Sequence, residues 1–417
     1  MKKTFLLSCL MLAAMPVMAA YTGRVYVDKN KNGVFDPGEK TWAGIKVSDG
    51  LNVVETAADG SFTLPGHERE RFIFITTPSG YKTFNRHYHK IEEKQSGYDF
   101  GLMPYSGRIR KDGSHKYIHI ADTEIFNTEN HEDWVNNVRD YARNEQAAFI
   151  IHTGDICYEK GLKAHIKLMN TENMDCPVFY CIGNHDLVKG KYGEELFESI
   201  YGPVYYSFDA GNVHYIVTPM PGGDHAPGYT ADDVCRWLKN DLAHIRPGTP
   251  VVVFNHDLLT YEDAFIFKSK NAGSINLNEH NLKAWVYGHW HINYMKKQGD
   301  VYSVCTSSLD KGGIDHSTTA FRVMHVDSKG DFTSELRYTY LDKNICIASP
   351  AGVMASGVLP VAVNVYSSVS PVKEVLYTCL ADGKPVLKNK KLLQSTDWSW
   401  NGELPLSDRS EERRVGK

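Results

Sequence analysis

Short apolar runs alternate with polar and glycine-rich stretches along this chain, and the texture of that alternation changes twice. From Tyr21 to about Pro104 the runs are brief and β-type: GRVYV, IKVSDG, SFTLPG and RFIFITTPSG, each closed by Gly, Pro or Asn. Such spacing predicts short strands joined by tight turns, hence a small β-sandwich over residues 20–104. From Tyr105 to about Leu341 longer apolar runs alternate with amphipathic stretches. One of these begins at Thr230, a good N-cap, and places Val234, Trp237, Leu238, Leu242 and Ile245 on one helical face. Strand–helix alternation predicts a layered α/β domain over residues 105–343. From Asn344 the texture is β again (VAVNVYSS, VKEVLYTCLADGK), which predicts a third, small β domain over residues 344–406.

The two ends read differently. MKKTFLLSCLMLAAMPVMAA has two lysines, an apolar run from Phe5 to Val17 and the small-residue site Val17-Met18-Ala19. That order predicts a cleaved secretory signal peptide over residues 1–19, hence export to a periplasm, a cell surface or the medium. Cleavage after Ala20 and lipidation at Cys9 are the competing readings. No other segment reaches the ~18 consecutive apolar residues of a spanning helix. The last residues, 407–417, are charged and unpatterned and follow a hairpin-like segment (TDWSWNGELP) that ought to continue. They are read as a non-native tail on a shortened C-terminal domain.

Composition narrows the picture only slightly. A chain that is 42% hydrophobic and 23% charged is globular, and a formal charge of −4 without a basic cluster argues against binding to duplex nucleic acid. Removing Cys9 with the leader leaves seven of the eight cysteines, scattered and without zinc-ribbon spacing. Oligomeric state is not legible.

Near the start, Asp28-x-Asn30-x-Asn32-Gly33-Val34-x-Asp36-x-x-Glu39 fits the calcium-loop pattern D-x-N-x-N-G-x5-E. Asp28, Asn30, Asn32, Asp36 and Glu39 offer side-chain oxygens and Val34 a carbonyl, which suits a calcium ion bracing a small domain. A metal-free polar turn is the alternative. The stretch Gly23–Pro65 is similar to B-type repeats of bacterial surface adhesins.

Five segments share one design, an apolar run that ends in metal-binding residue types. They are KYIHIAD ending in Asp122-Thr123-Glu124, AFIIHTGD ending at Asp155, VFYCIG followed by Asn184-His185-Asp186, VVVFNH ending at His256, and AWVYGH with His289 and His291. In open α/β sheets such ends converge at the carboxyl edge of the strands. Glycines 154, 183 and 288 are read as sharp turns that bring the next side chain inward. The order D-x-E, G-D, G-N-H-D, N-H, G-H-x-H resembles the signature of calcineurin-like metallophosphoesterases over roughly residues 116–325.

That resemblance implies an α/β fold with a layered α/β/β/α sandwich core, flanked by small all-β domains at both ends. It implies two divalent or mixed-valence transition metal ions (Mn, Fe or Zn). Asp122, Asp155 and His291 would hold the first, and Asp155, Asn184, His256 and His289 the second. It also implies attack of a metal-bridging hydroxide on phosphorus, with catalytic His185 near the leaving oxygen and Asp186 orienting it. The family pattern has D-x-H where this chain has Asp122-Thr123-Glu124. Glu124 is therefore expected to ligate or support the first metal, favouring harder ions. Gly313, Asp315 and His316, in the loop after the histidine motif, are candidate substrate contacts. The implied substrate is a small-molecule, lipid or nucleotide phosphate ester, either monoester or diester. A non-catalytic surface or binding protein with a degenerate site is the alternative, and an amidohydrolase would need other ligand spacing.

Overall fold

The N-terminal sandwich is built from two four-stranded sheets. Strands Ser61–Leu64, Tyr21–Val27, Phe100–Pro104 and Tyr81–Thr83 form one, and Val53–Glu55, Lys46–Ser48, Phe72–Ile75 and Tyr88–Lys90 the other. Alternate positions point inward, so Val25, Val47, Phe62, Leu64, Ile73, Ile75, Phe100 and Leu102 fill one small core. The computed structural model describes residues 20–95, 97–105, 107–340, 343–351, 357–367, 372–396 and 398–406. The leader reading over 1–19 and the tail reading over 407–417 lie outside the described residues.

The centre of the molecule is a pair of stacked sheets. The first has five strands in the order Val178–Tyr180, Phe149–His152, His115–Ile120, Ala320–Val326, Phe332–Tyr338. The second has six, in the order Tyr206–Ala210, Val213–Val217, Val251–Phe254, Leu282–Tyr287, Val301–Cys305, Tyr294–Gln298. Tyr117, Phe149, Phe208, Tyr215 and Phe254 interlock between the sheets; Tyr117 stacks on Phe149 at 4.7 Å and Phe208 on Tyr215 at 5.3 Å. Helices Glu132–Asn144 and Tyr158–Leu168 cover the outer face of the first sheet through Trp134, Val138 and Leu162. Helix Ala231–Ala243 covers the second through Cys235, Trp237, Leu238 and Leu242. The result is the α/β/β/α sandwich expected from the resemblance, with β-rich regions on both sides.

Helix Ala231–Ala243 shows how local sequence sets an element. Thr230 and Asp233 form a reciprocal capping box, with Thr230 N donating to Asp233 Oδ2 at 2.9 Å and Asp233 N to Thr230 Oγ1 at 3.2 Å. The apolar face is buried as the periodicity predicts, except that Ile245 lies past the helix end and is only partly buried.

Within each central sheet the neighbouring strands that lead to the metal-binding residue types run parallel. His115–Ile120, Phe149–His152 and Val178–Tyr180 pair in parallel, as do Val251–Phe254 and Leu282–Tyr287. Their carboxyl ends therefore open on one edge. The C-terminal region is a separate β layer of Lys343–Ser349, Gly357–Ser367, Ser399–Leu406 and Leu393–Gln394, with a hairpin Leu376–Ala381/Lys384–Lys391. It meets the centre where Tyr366 and Trp398 pack on Tyr338.

Candidate functional site

Backbone conformation marks the carboxyl edge before any side chain is considered. Asp122 (φ 52), Glu124 (φ 44), Asp155 (φ 56), Cys157 (φ 77), Tyr158 (φ 56), His289 (φ 65) and His291 (φ 50) all lie in the left-handed region. Non-glycine residues enter that region rarely, and such strain gathers where a surrounding structure holds side chains for a task. Five of these, Asp122, Glu124, Asp155, His289 and His291, are themselves expected ligands, each placed just past the end of a strand. Gly154 (φ 96) is a true turn glycine, and a Cβ there would sit 2.6 Å from His256 Nδ1. Gly183 is different: its φ is −94, and it is required because a side chain would collide with the Asp155 carboxylate. The reading of Gly183 as a sharp turn is corrected to one of close approach.

The side chains converge around Asp155. Its Oδ2 lies 3.2 Å from His256 Nε2, and its Oδ1 accepts the His185 backbone N–H at 3.0 Å. His256 Nδ1 donates to the Thr153 carbonyl at 2.7 Å, which leaves Nε2 facing Asp155 and Asn184 Oδ1 (3.1 Å). The His289 ring stands 4.9 Å from that of His256. On the other side, fully buried Asp122 accepts from His289 N at 3.1 Å and lies 3.4 Å from His291 Nε2, which is 3.5 Å from Glu124 Oε1. All seven expected ligand residues thus border one cleft.

Electrostatics say what this cleft calls for. Burial alone would depress the His256 imidazole, yet Asp155 and Asp122 beside it push its pKa up to about 9. Burial raises the Asp122 carboxyl, with His291 and His256 acting in the opposite direction. These acids therefore draw positive charge into the cleft. Donor atoms of Asp155, His256 and His289 lie within 4.8 Å of one another, and so do those of Glu124, Asp155 and Cys157. Two donor groups that share one aspartate fit a pair of adjacent cations.

His185 sits at the rim, about a third exposed, with Nδ1 2.8 Å from Asp224 Oδ2. Burial lowers its pKa, but the Asp224 hydrogen bond and the nearby carboxylates raise it on balance. Asp186 does not orient it. The fully buried Asp186 carboxylate accepts instead from Asp155 N (3.0 Å), Gly183 N (2.9 Å) and Cys157 N (2.8 Å). Those three N–H groups hold it between the Asp155 and Gly183 loops, away from the ring, so the catalytic assignment of Asp186 is corrected to that of a clamp between two site loops.

Residues 29–105 match the family model described as the N terminal of calcineurin-like phosphoesterase, and residues 115–293 match that of calcineurin-like phosphoesterase. Together the two segments span more than half of the chain. The chain belongs to the calcineurin-like phosphoesterases. The family supports a phosphoric ester hydrolase. No curated protein matches this phosphoesterase. Among solved structures it is similar to GAP50, the anchor in the inner membrane complex of Plasmodium, at 15% identity (TM-score 0.35, covering 54% of this chain and 85% of that one). It is also similar to an archaeal phosphodiesterase at 14% (TM-score 0.27, 53% and 99%) and to Yfce, a phosphoesterase from E. coli, at 10% (TM-score 0.27, 54% and 99%). Likenesses this remote carry no functional detail.

Three residues of the phosphoesterase's cleft escaped sequence reading. Asp224 belongs to the loop of residues 219–229, between strand Val213–Val217 and helix Ala231–Ala243. Tyr158 sits on the rim with its ring 5.4 Å from that of His185 and stacked on exposed Phe126 at 6.2 Å. Lys311 donates to Glu124 Oε2 at 2.7 Å and to the Glu124 carbonyl at 3.0 Å. The residues expected from the same loop do less at the cleft. Asp315 Oδ1 accepts from Ser317 N within its own turn, Gly313 N donates to the Ser317 carbonyl, and His316 is exposed. Ile314 N, not one of the three, reaches the His291 carbonyl at 2.9 Å.

The N-terminal loop from Asp28 to Glu39 forms the turn its motif calls for. Asp28 accepts from Asn32 N and Gly33 N, Asp36 from the Asn30 and Asn32 side-chain amides, and Glu39 from Lys29 N and Asp36 N. Val34 is exposed. Carboxylate oxygens of Asp28, Asp36 and Glu39 thus accept from N–H groups of the same loop.

Proposed function

We propose that this chain is an exported phosphoesterase that hydrolyses a phosphate monoester or diester at a dinuclear metal centre. The observation that carries this reading is the position of Asp155 between His256 and His289 on one side and Glu124 on the other, with His291 3.4 Å from Asp122 and 3.5 Å from Glu124. Asp122, Glu124, Asp155 and His291 would hold one divalent ion, and Asp155, Asn184, His256 and His289 the other. A metal pair at such a site supplies charge neutralisation at the phosphate oxygens and lowers the pKa of water.

The chain's own residues do the rest. The Asp186 clamp fixes the Asp155 and Asn184 loops against each other, so the donors are set before substrate arrives. The His256–Thr153 hydrogen bond selects the tautomer whose Nε2 faces the cleft. His185, held at Nδ1 by Asp224, has its other ring nitrogen available to hand a proton to the departing oxygen, a contribution of roughly 10²–10⁴-fold. Export is supported by the leader pattern, and N-terminal sequencing of protein recovered outside the cytoplasm tests it.

Hydrolysis of bis-p-nitrophenyl phosphate and p-nitrophenyl phosphate, with manganese, zinc and chelator, tests the activity. Metal-dependent turnover that Asn184→Ala abolishes is the expected result. A folded, metal-loaded protein inert toward both would overturn it in favour of a binding role.

A further inference from the structure

The site carries a carboxylate, Glu124, where its family pattern carries a neutral histidine, and the structure supplies that carboxylate with a counter-ion of its own. Glu124 Oε2 receives Lys311 Nζ at 2.7 Å while its other oxygen, Oε1, faces His291 Nε2 at 3.5 Å. The same Nζ lies 3.0 Å from the Glu124 carbonyl, so one ammonium grips both the backbone and the side chain of a residue in the left-handed region. Exposed ion pairs are usually weak. This one differs in setting: Glu124 is mostly covered, and its carboxylate reaches within 4.8 Å of a buried Asp155 oxygen.

Lys311 is itself held in place. Its N–H donates to Ser308 Oγ at 3.1 Å and Gly312 N donates to the Ser308 carbonyl at 3.0 Å, closing a turn around a fully buried serine. The Leu309 carbonyl accepts from Thr339 Oγ1 at 2.7 Å, pinning the start of that turn to the end of the five-stranded sheet. The loop that emerges next to the cleft therefore presents its lysine to one oxygen of Glu124 and leaves the other for the site.

We propose that Lys311 is a charge-compensating residue of the metal centre, so that the Glu124–Lys311 pair takes the place of one neutral histidine. This rests on the dinuclear reading above. The pair has the net charge of an imidazole but an oxygen donor, which suits a hard divalent ion without adding a full negative charge to the pocket. Removing the lysine unmasks that charge and releases Oε2, and both effects draw a cation more strongly.

Calorimetric titration of Mn²⁺ into the metal-stripped full chain tests this without reference to turnover. Lys311→Gln is expected to bind Mn²⁺ more tightly, on the order of tenfold, and Lys311→Arg to stay near the parent. Placed in a Glu124→His background, Lys311→Gln is expected to change affinity by less than about twofold, since the partner charge is gone. Unchanged or weaker binding in Lys311→Gln, or an equal shift in both backgrounds, overturns the pairing while leaving the metal centre standing. A parent protein that is folded by circular dichroism yet binds no Mn²⁺ overturns both.

Discussion

At His185 two acidic residues compete for the role of partner, and distance decides between them. Asp186 is adjacent in sequence but spends its carboxylate on three backbone N–H groups; Asp224, 39 positions away, meets the ring at 2.8 Å. The two aspartates should therefore fail differently. Asp224→Asn is expected to lower kcat by about ten- to a hundredfold with metal content and folding unchanged. Asp186→Ala strands buried N–H donors, and with a penalty of roughly 1–3 kcal/mol each it should lower stability and metal content together. Steady-state kinetics alongside elemental analysis and urea denaturation read both. An Asp224→Asn enzyme with unaltered kcat would remove the residue from the reaction.

Among elements, strand Val213–Val217 carries the most consequential buried charge away from the cleft. His214 lies between Asp209 (2.7 Å) and Asp241 (2.8 Å), and Asp241 also accepts from Ser207 Oγ. Burial lowers the imidazole's pKa, but Asp241 and Asp209 overcome it and push it up to about 9. A histidine raised in the folded state stabilises fully below its unfolded value, near 6.5, and loses that contribution as pH rises through the folded value. His214 is therefore expected to contribute on the order of 2–3 kcal/mol to the fall in stability that urea denaturation shows between about pH 6.5 and 9. His214→Gln should reduce that slope by the same amount; an equal slope in the variant would dissociate it from this network. The element-level pattern was open to sequence reading because strand ends and helix faces are set by neighbours in the chain. The apolar run before Asp155 and the N-cap at Thr230 needed no distant partner to be recognised.

On the scale of the whole molecule, the N-terminal sandwich is tied to the catalytic layers by charge. Arg71 reaches Glu194 at 2.8 Å and Glu198 at 3.1 Å; Glu194 is fully buried and also accepts from Gly228 N in the loop that carries Asp224. Lys46 faces Asp209 at 3.5 Å, and Thr76 bonds Ser207. Removing one partner of a buried pair leaves a stranded charge, so Arg71→Ala is expected to destabilise the protein by about 3 kcal/mol. Converting Glu194 and Glu198 to glutamine as well should recover much of that loss, as measured by urea denaturation. A triple variant no more stable than Arg71→Ala would show that the arginine acts by packing rather than by charge.

The amino-acid sequence by itself marked the alternation of strands and helices and the five strand ends that carry metal-binding residue types. Both are local properties: apolar runs of strand length, and side chains placed directly after them. Tertiary structure alone decided which polar groups those donors meet. Asp224 for His185, Lys311 for Glu124 across 187 positions, and Arg71 for Glu194 across 123 are contacts between elements remote in sequence. A charged side chain carries no mark of its distant partner, because that partner is chosen by how the sheets stack and where their loops close.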